Sequence, residues 1–356
     1  MRIILLADMD YFYAACEELR NPSLKDKPVV VGADPKNGYG RGVVSTCNYI
    51  ARKYGIKSGM PISMAYKLKS DAVFLPVDEE YYESVSSKIM LLLRGYAGKF
   101  EQVSIDEAFL DISNMVGSFE EAYEYAQKIK DAITANFGLP CSIGVGPNKL
   151  IAKMACEAAK PNKIKVVKSE EAKEFLAPLP LEKLYGVGKK SAEKLKEMGF
   201  KTIGDIANSN KQMLIDKFGS FGLEIYNYAN AIDEDEVIET YEAKSIGREY
   251  TFEEDTDDSE RLKRKILELA SEVIKDVEKG GFYFRVVTIK LRYRDFEEHL
   301  HSKNLGHYIQ DKEKLERIAI ALFEKNSTGE KIRKIGLRVS NLIKSKGQKK
   351  LSEFIG

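Results

Sequence analysis

The chain has 356 residues, 44% of them hydrophobic, and 56 Lys and Arg against 55 Asp and Glu leave a formal net charge of +1. That length suits about two to four domains with cores of their own, and the near-neutral balance leaves any nucleic-acid partner to local patches. Four scattered cysteines (Cys16, Cys47, Cys141, Cys156) and three distant histidines (His299, His301, His307) argue against a disulfide framework or a structural zinc, and the opening apolar run is too short for a signal or a membrane span, so a cytoplasmic location is expected.

Ile3 to Ala7 reads as a short buried strand that runs straight into Asp8-Met9-Asp10. Tyr11 to Leu19 has helical spacing, and the free N–H groups of a helix start there suit a phosphate. Gly38-Tyr39-Gly40-Arg41-Gly42 matches no nucleotide-loop fingerprint and reads as a flexible turn. Asn48 to Gly55 is a helix ending at its glycine, with Tyr49 and Arg52 on one face. Gly59-Met60-Pro61 starts another helix, and Tyr82 to Tyr96 is amphipathic.

Gln102-Val103-Ser104-Ile105-Asp106-Glu107-Ala108-Phe109-Leu110-Asp111-Ile112 places two adjacent acids between apolar, strand-forming flanks. Burying unpaired carboxylates is costly, so a cation is expected to offset them. Neighbours on a regular strand face opposite ways, so both acids reach one ligand only at a hairpin tip or an irregular strand end. If the first strand lies beside this hairpin, Asp8, Asp106 and Glu107 converge, and their oxygens select a hard ion such as Mg²⁺. Taken singly, each acid also reads as a solvated strand end.

Phe119 to Asn136 is a helix, Pro140 to Gly146 a strand, and Asn148 to Ala155 begins a helix running toward Lys160-Pro161-Asn162. The alternation is βαββαβ, a ferredoxin-like plan. Leu181 to Leu195 has two helical stretches around Gly186-Val187-Gly188, followed by Lys189 and Lys190, the pattern of a helix-hairpin-helix that grips DNA phosphates through backbone N–H groups. A plain helical hairpin is the alternative. Residues 234–244 are acidic and read as a tether.

Beyond the tether, strand-like runs at Ser245 to Phe252, Phe284 to Tyr293 and Ile335 to Leu342 are separated by helices near Glu260 to Glu278 and Lys312 to Lys325. In the middle run Val287, Ile289, Leu291 and Tyr293 form one face, and Thr288, Lys290, Arg292 and Arg294 the other. With Arg248, Arg333, Lys334 and Arg338, this suits a sheet on a phosphate backbone; a solvated outer face is the alternative. The histidines fall in a loop and are given no chemistry. In the tail, Gln348, Leu351, Phe354 and Ile355 have the spacing of a peptide that seats one helical turn in a sliding clamp of the ring type; a frayed basic end is the alternative.

Asp8-Met9-Asp10-Tyr11-Phe12-Tyr13-Ala14 and Ser104-Ile105-Asp106-Glu107-Ala108-Phe109-Leu110-Asp111 resemble the two palm motifs of the Y-family (DinB-like, polymerase IV type) translesion DNA polymerases, and the likeness, archaeal in its tail, runs nearly end to end. It implies an α+β multidomain right-hand fold with a ferredoxin-like palm (1–10 and 78–166), small fingers (11–77), a helix-hairpin-helix thumb (167–233), a linker (234–244), an α/β little finger (245–343) and a flexible tail (344–356). It implies two Mg²⁺ ions, with Asp8 and Asp106 bridging, Glu107 on the ion at the primer 3′-hydroxyl and the Met9 carbonyl on the triphosphate ion; Asp10 and Asp111 are left structural. Phe12, Tyr13, Thr46, Tyr49, Arg52 and Lys160 would contact the dNTP, Tyr13 as the steric gate against a 2′-hydroxyl, beneath a roof of Val43, Ser45 and Gly59. The partners implied are primer-template DNA, dNTP and a sliding clamp, the chain is expected to be monomeric, and no segment is left for a proofreading nuclease. Two other readings are a nucleotidyl cyclase, which shares the core but not the basic strands, and a non-catalytic DNA- or clamp-binding scaffold, which would be expected to lose the acids.

Overall fold

The computed structural model describes residues 1–239 and 243–344, so the clamp peptide expected at Gln348, Leu351, Phe354 and Ile355 lies outside the described residues. Contacts divide the chain into two compact units, Met1–Thr240 and Tyr241–Gly356. In the first, β1 (Ile4–Met9) leads into α1 (Phe12–Arg20), β2 (Val29–Gly32), β3 (Val44–Cys47), α2 (Tyr49–Lys53), α3 (Ile62–Leu68) and β4 (Val73–Leu75). The chain continues through α4 (Glu79–Arg94), β5 (Lys99–Gln102), β6 (Glu107–Asp111), α5 (Phe119–Phe137), β7 (Cys141–Gly146), α6 (Lys149–Ala159) and β8 (Ile164–Val166). A helical segment closes the unit: α7 (Ala172–Leu176), α8 (Lys189–Glu197), α9 (Ile203–Ala207), α10 (Lys211–Phe218) and α11 (Ser220–Ala229).

The main sheet has the order β5-β6-β1-β7-β8. Its first four strands realise the βαββαβ plan, and β8 adds a parallel edge beside β7. β1 is buried along its whole length because helices cover both faces. Leu5, Ala7 and Met9 join the core formed with α1, α4 and α5, while Ile4 and Leu6 pack with Phe109 and with Ala152 and Cys156 of α6. Helix α6 lies unusually close to the sheet: a Cβ on Gly144 would stand 2.0 Å from the Ala152 carbonyl oxygen, and one on Gly146 2.6 Å from the Ile151 side chain. Two glycines on β7 are therefore what permit the approach. The insertion between α1 and α4 carries its own small sheet, β3-β2-β4.

The second unit comprises β9 (Ser245–Thr256), α12 (Ser259–Lys279), β10 (Phe282–Tyr293), β11 (Glu298–Ile309), α13 (Lys312–Asn326) and β12 (Ile332–Lys344), with strand order β11-β10-β12-β9. Val287, Ile289 and Leu291 are fully buried in one core with residues of α12 and α13, as their alternation in the sequence predicts.

Three expectations are corrected. The first half of the helix-hairpin-helix is a single 3₁₀ turn, Leu181–Lys183, and only its second half is a full helix, α8. The histidines do not lie in a loop: His299, His301 and His307 are all on β11, an edge strand exposed along most of its length, whose hydrophobic alternation is therefore too weak to read. The acidic tether is, up to residue 239, no tether. Arg2 donates to the carbonyls of Asp233 and Asp235, Lys99 pairs with Glu236 at 2.9 Å, and the Ile238 N–H donates to Glu101 at 2.9 Å. Val237 is 3% exposed, wedged among Ile4, Leu6, Phe109, Ala152 and Cys156. One buried valine among acids carries no periodicity, which is why composition alone read this stretch as free.

If the strap holds as described, Val237→Ala lowers the unfolding free energy by about 2 kcal/mol, measured by urea denaturation; a loose linker would show no change.

Candidate active site

Asp8 lies near the end of β1, directly opposite Glu107, the first residue of β6, in the antiparallel register. Paired residues share a face, and this one is the face that α6 covers. Asp106 falls one residue before the strand, in the turn of the β5–β6 hairpin, and its carbonyl accepts the Met9 N–H at 2.9 Å. The irregular strand end thus lets adjacent acids sit beside Asp8.

Each carboxylate is engaged by a neighbour. Lys160 Nζ donates to Asp8 at 2.8 Å and to Glu157 at 2.7 Å, Lys153 Nζ to Glu107 at 2.6 Å, and Ser104 Oγ to Asp106 at 2.5 Å. Among the described residues, no three His, Cys, Asp or Glu side chains are gathered as a ready cluster for a metal. The donor set nonetheless suits one. Burial, eased by Lys160 and reinforced by repulsion from Asp106 and Glu107, pushes the Asp8 carboxyl up to about 7, so a carboxylate there gains from a close cation. Both lysines respond in kind: burial works against their charge, but Asp8 and Glu107 hold Lys160 and Lys153 above the usual ammonium range. Sequence reasoning missed Lys153. Its signal was the helical spacing of Lys149, Lys153, Glu157 and Lys160, one face of α6.

The residues expected at the nucleotide come together next to these acids. Tyr49 opens α2, its hydroxyl donates to Asp10 at 3.3 Å, and the Arg52 guanidinium lies 4.7 Å from its ring centroid. The position of α2 is set by Asn48, whose side chain caps the Ala51 N–H and donates to the buried Glu18 at 2.7 Å. Tyr11 packs edge-on against Tyr49 at 5.2 Å. Tyr13 is stacked on the fully buried Tyr82 with ring centroids 4.3 Å apart, and the Tyr82 hydroxyl donates to Glu17. Phe12 is 2% exposed within the core, so its ring is closed to a ligand and a nucleotide contact there falls to its backbone N–H, at the start of α1. Helix α1 has no side-chain cap there. Thr46 is half-buried on β3, and Val43 and Ser45 flank Val44, which exchanges backbone hydrogen bonds with the Gly59–Met60 turn.

The expected DNA contacts divide. Gly186 has a positive φ of 82° and Gly188 precedes α8 with open space where a Cβ would stand, while Lys189 and Lys190 are exposed beside them. On the second unit, Lys290, Arg292, Lys334 and Arg338 occupy the open face of the sheet: Arg292 pairs with Lys334, Lys290 with Gly336 and Arg338 with Thr288, and these rows alternate with those of buried Ile289, Leu291, Ile335 and Leu337. That face is not purely basic: Glu249 bridges Lys290 and Lys334 at 2.8 and 2.9 Å, and Glu298 pairs with Lys290 and Arg292. Arg248, Arg294 and Arg333 are corrected. Arg248 sits opposite buried Leu337 and pairs with Asp276 of α12, so it belongs to the helix side of the sheet. Arg294 lies in the turn beyond β10, and Arg333 falls at a register shift in β12 with its guanidinium 4.6 Å from the Phe296 ring. Sequence alternation cannot see the bulge at Arg333, whereas Arg248 follows the period-two face of Ile246, Tyr250 and Phe252 and so turns with them toward the helices.

Residues 7–157 match the impB/mucB/samB family, residues 243–352 its C-terminal domain, and residues 169–200 the IMS family HHH motif. The chain is 46% identical to a DNA polymerase IV of Methanoculleus marisnigri, covering 96% of this chain and 94% of that one. It is 38% identical to a DNA polymerase IV of Nitrosopumilus maritimus over 99% of both chains. Among solved structures it is similar to the Y-family DNA polymerase chimera Dbh-Dpo4(243-245)-Dbh, with a TM-score of 0.88 and 32% identity over 96% of this chain and 99% of that chain. It is also similar to DinB from Sulfolobus solfataricus, with a TM-score of 0.67 and 32% identity over the same shares. With its α+β multidomain architecture and this end-to-end likeness, the chain belongs to the impB/mucB/samB family, the DinB-like Y family of DNA polymerases.

Proposed function

We infer that the chain is a template-directed, low-fidelity DNA polymerase that extends primers past damaged bases, adding nucleotides from dNTPs and releasing pyrophosphate. The observation that carries this reading is Asp8 opposite Glu107 with Asp106 in the adjoining turn, at one end of a ferredoxin-like sheet. A cyclase would need neither the basic face nor the helix-hairpin-helix, and a scaffold would have no use for three converging acids. The family match extends through all of these parts.

The oxygen donors suit divalent ions, which we assign as two Mg²⁺. Asp8, Asp106 and Glu107, with the Met9 carbonyl, would hold them between the primer hydroxyl and the triphosphate. When bound, such ions neutralise charge at the attacking oxygen, the phosphoryl oxygens and the leaving group. The chain's own cations do the rest. Arg52 and Lys160, with the Tyr49 hydroxyl, would compensate the triphosphate and the departing pyrophosphate. Tyr13, backed by the Tyr82 ring, would press on the sugar where a 2′-hydroxyl projects, and Val43, Ser45 and Gly59 would form a low roof with room for distorted bases.

The domain assignment follows: palm at 1–10 and 78–166, fingers at 11–77, thumb at 167–233 and little finger at 245–343, with the palm-bound strap at 234–239 ahead of the joint. The partners are primer-template DNA, gripped through Gly186, Gly188, Lys189 and Lys190 and the open face of Lys290, Arg292, Lys334 and Arg338, and a ring clamp bound by Gln348, Leu351, Phe354 and Ile355. The clamp would add processivity by tethering. We assign a monomer in the cytoplasm; no helix among the described residues is long and apolar enough to cross a membrane.

Primer extension with Mg²⁺ on plain and abasic templates tests the reading: Asp106→Ala and Glu107→Ala each lower the rate at least about a thousandfold, and survival of synthesis in both would end it. Tyr13→Ala is expected to cut the preference for dNTP over rNTP by roughly a hundredfold or more, read as the ratio of kcat/KM values; an unchanged ratio removes the steric role. The pH dependence has a definite sign. Because the folded state raises Asp8 above its unfolded value, its contribution to stability is full below the unfolded value and is lost as pH rises through about 7. In chelator, the parent's Tm therefore falls between pH 6 and pH 8 more than that of Asp8→Asn, measured by thermal melting; equal slopes would contradict the burial cost.

A further inference from the structure

Asp10 ends the Asp8-Met9-Asp10 run and has no part in the chemistry assigned above, yet it is 1% exposed. A carboxylate buried to that degree must be met by donors. Here they are neutral and come from three separate segments. Ser142 Oγ on β7 donates to both oxygens, at 3.0 and 3.1 Å. The backbone N–H of Asn162 donates to Oδ2 at 2.7 Å, and the Tyr49 hydroxyl to Oδ1 at 3.3 Å.

Ser142 belongs to β7 of the central sheet, where it pairs directly with Asp8 of β1. The other two donors belong to the segments that carry the triphosphate contacts. Tyr49 is one of those contacts, on α2 of the fingers, and Asn162 lies two residues beyond Lys160, whose ammonium reaches Asp8. A single acceptor therefore ties a fingers side chain and a palm loop to the same point of the sheet. Hydrogen bonds to a carboxylate are roughly twice as strong as neutral ones, so this node is stiff in a way that three separate neutral contacts would not be.

We propose that Asp10 is a positioning residue for the incoming nucleotide, holding the Tyr49 side chain and the Lys160–Asn162 segment in one register so that both meet the triphosphate together, the Tyr49 hydroxyl turning its single proton from Asp10 to a phosphate oxygen when the nucleotide binds. The proposal rests on the reading of Tyr49 and Lys160 as phosphate contacts. Asparagine is a poor replacement for the aspartate: its one oxygen can still accept the Asn162 N–H, but its NH₂ group then faces the Tyr49 and Ser142 hydroxyls, which must reverse from donors to acceptors, and the negative charge that strengthens every contact is lost.

The test is single-turnover insertion with Mg²⁺ on a primer-template while the dNTP is titrated. Asp10→Asn is expected to weaken the nucleotide Kd about tenfold, with a smaller change in the rate at saturation and an unchanged primer-template Kd. Ser142→Ala, which keeps the carboxylate but frees it from β7, shifts the nucleotide Kd the same way by roughly threefold and serves should Asp10→Asn not fold. Lys160→Ala weakens the nucleotide as well, and the pair Asp10→Asn/Lys160→Ala falls short of the product of the single effects, because the placement of a loop without its ammonium no longer matters. A carboxylate that only stabilises the fold would lower Tm while leaving the nucleotide Kd within about twofold of the parent, or would give effects that multiply with those of Lys160→Ala; either result overturns the proposal. If Lys160→Ala and Tyr49→Phe themselves leave the nucleotide Kd at the parental value, the reading of the phosphate contacts falls, and the proposal with it.

Discussion

Helix α6 rests on β7 at a distance that only glycine allows, and the arrangement of charge in this protein follows from that contact. Side chains at 144 or 146 would strike the helix backbone or Ile151, and the helix would have to lift away. Because it does not, Lys153 and Lys160 reach across to Glu107 and Asp8. Like-charged carboxylates that would otherwise repel one another in a buried setting are thereby held at one sheet end. Close packing is thus spent on electrostatics: the helix brings cations to a place where unpaired carboxylates are costly.

The same helix is anchored at its other end. Asn148 caps it, Asp233 accepts the Leu150 N–H at 2.8 Å, and Lys149 pairs with Glu101 at the edge of the sheet. The strap after α11 thus ties the helical segment to the palm and covers Ile4, Leu6 and Phe109 from outside. Stability and site geometry share these contacts, since the strap, the helix and the acid-bearing strands form one continuous packing unit. Buried acids play a comparable part on the fingers side, where Glu18 holds Asn48 and Asp10 holds Tyr49. The insertion is fixed to the palm through carboxylates outside the acid trio, so the trio itself carries no part of that attachment.

The second unit shows how a basic surface is moderated. Exposed ion pairs of the kind made by Glu249 and Glu298 contribute little to stability, but they lower the net charge of the sheet face and hold Lys290, Arg292 and Lys334 in fixed positions. Arg338, exposed and without an ion pair among the described residues, is the exception on that face.

Much was legible in the amino-acid order itself. The apolar run into Asp8, the doubled acids of the hairpin, the alternation of Val287 to Tyr293 and the caps and glycines that bound the helices are local patterns, and local patterns determine element type. The family follows from two such motifs. What the order could not convey is what depends on partners distant in the chain. The burial of Val237 needs Ile4 and Phe109, the pairing of Arg248 needs Asp276 on the helix packed against its strand, and β11 is a strand only because β10 offers it a ladder. Asp10 read as a spare acid, because its meaning lies in donors from residues 49, 142 and 162. Periodicity reports which face of an element is apolar; only tertiary packing decides which residues meet across it.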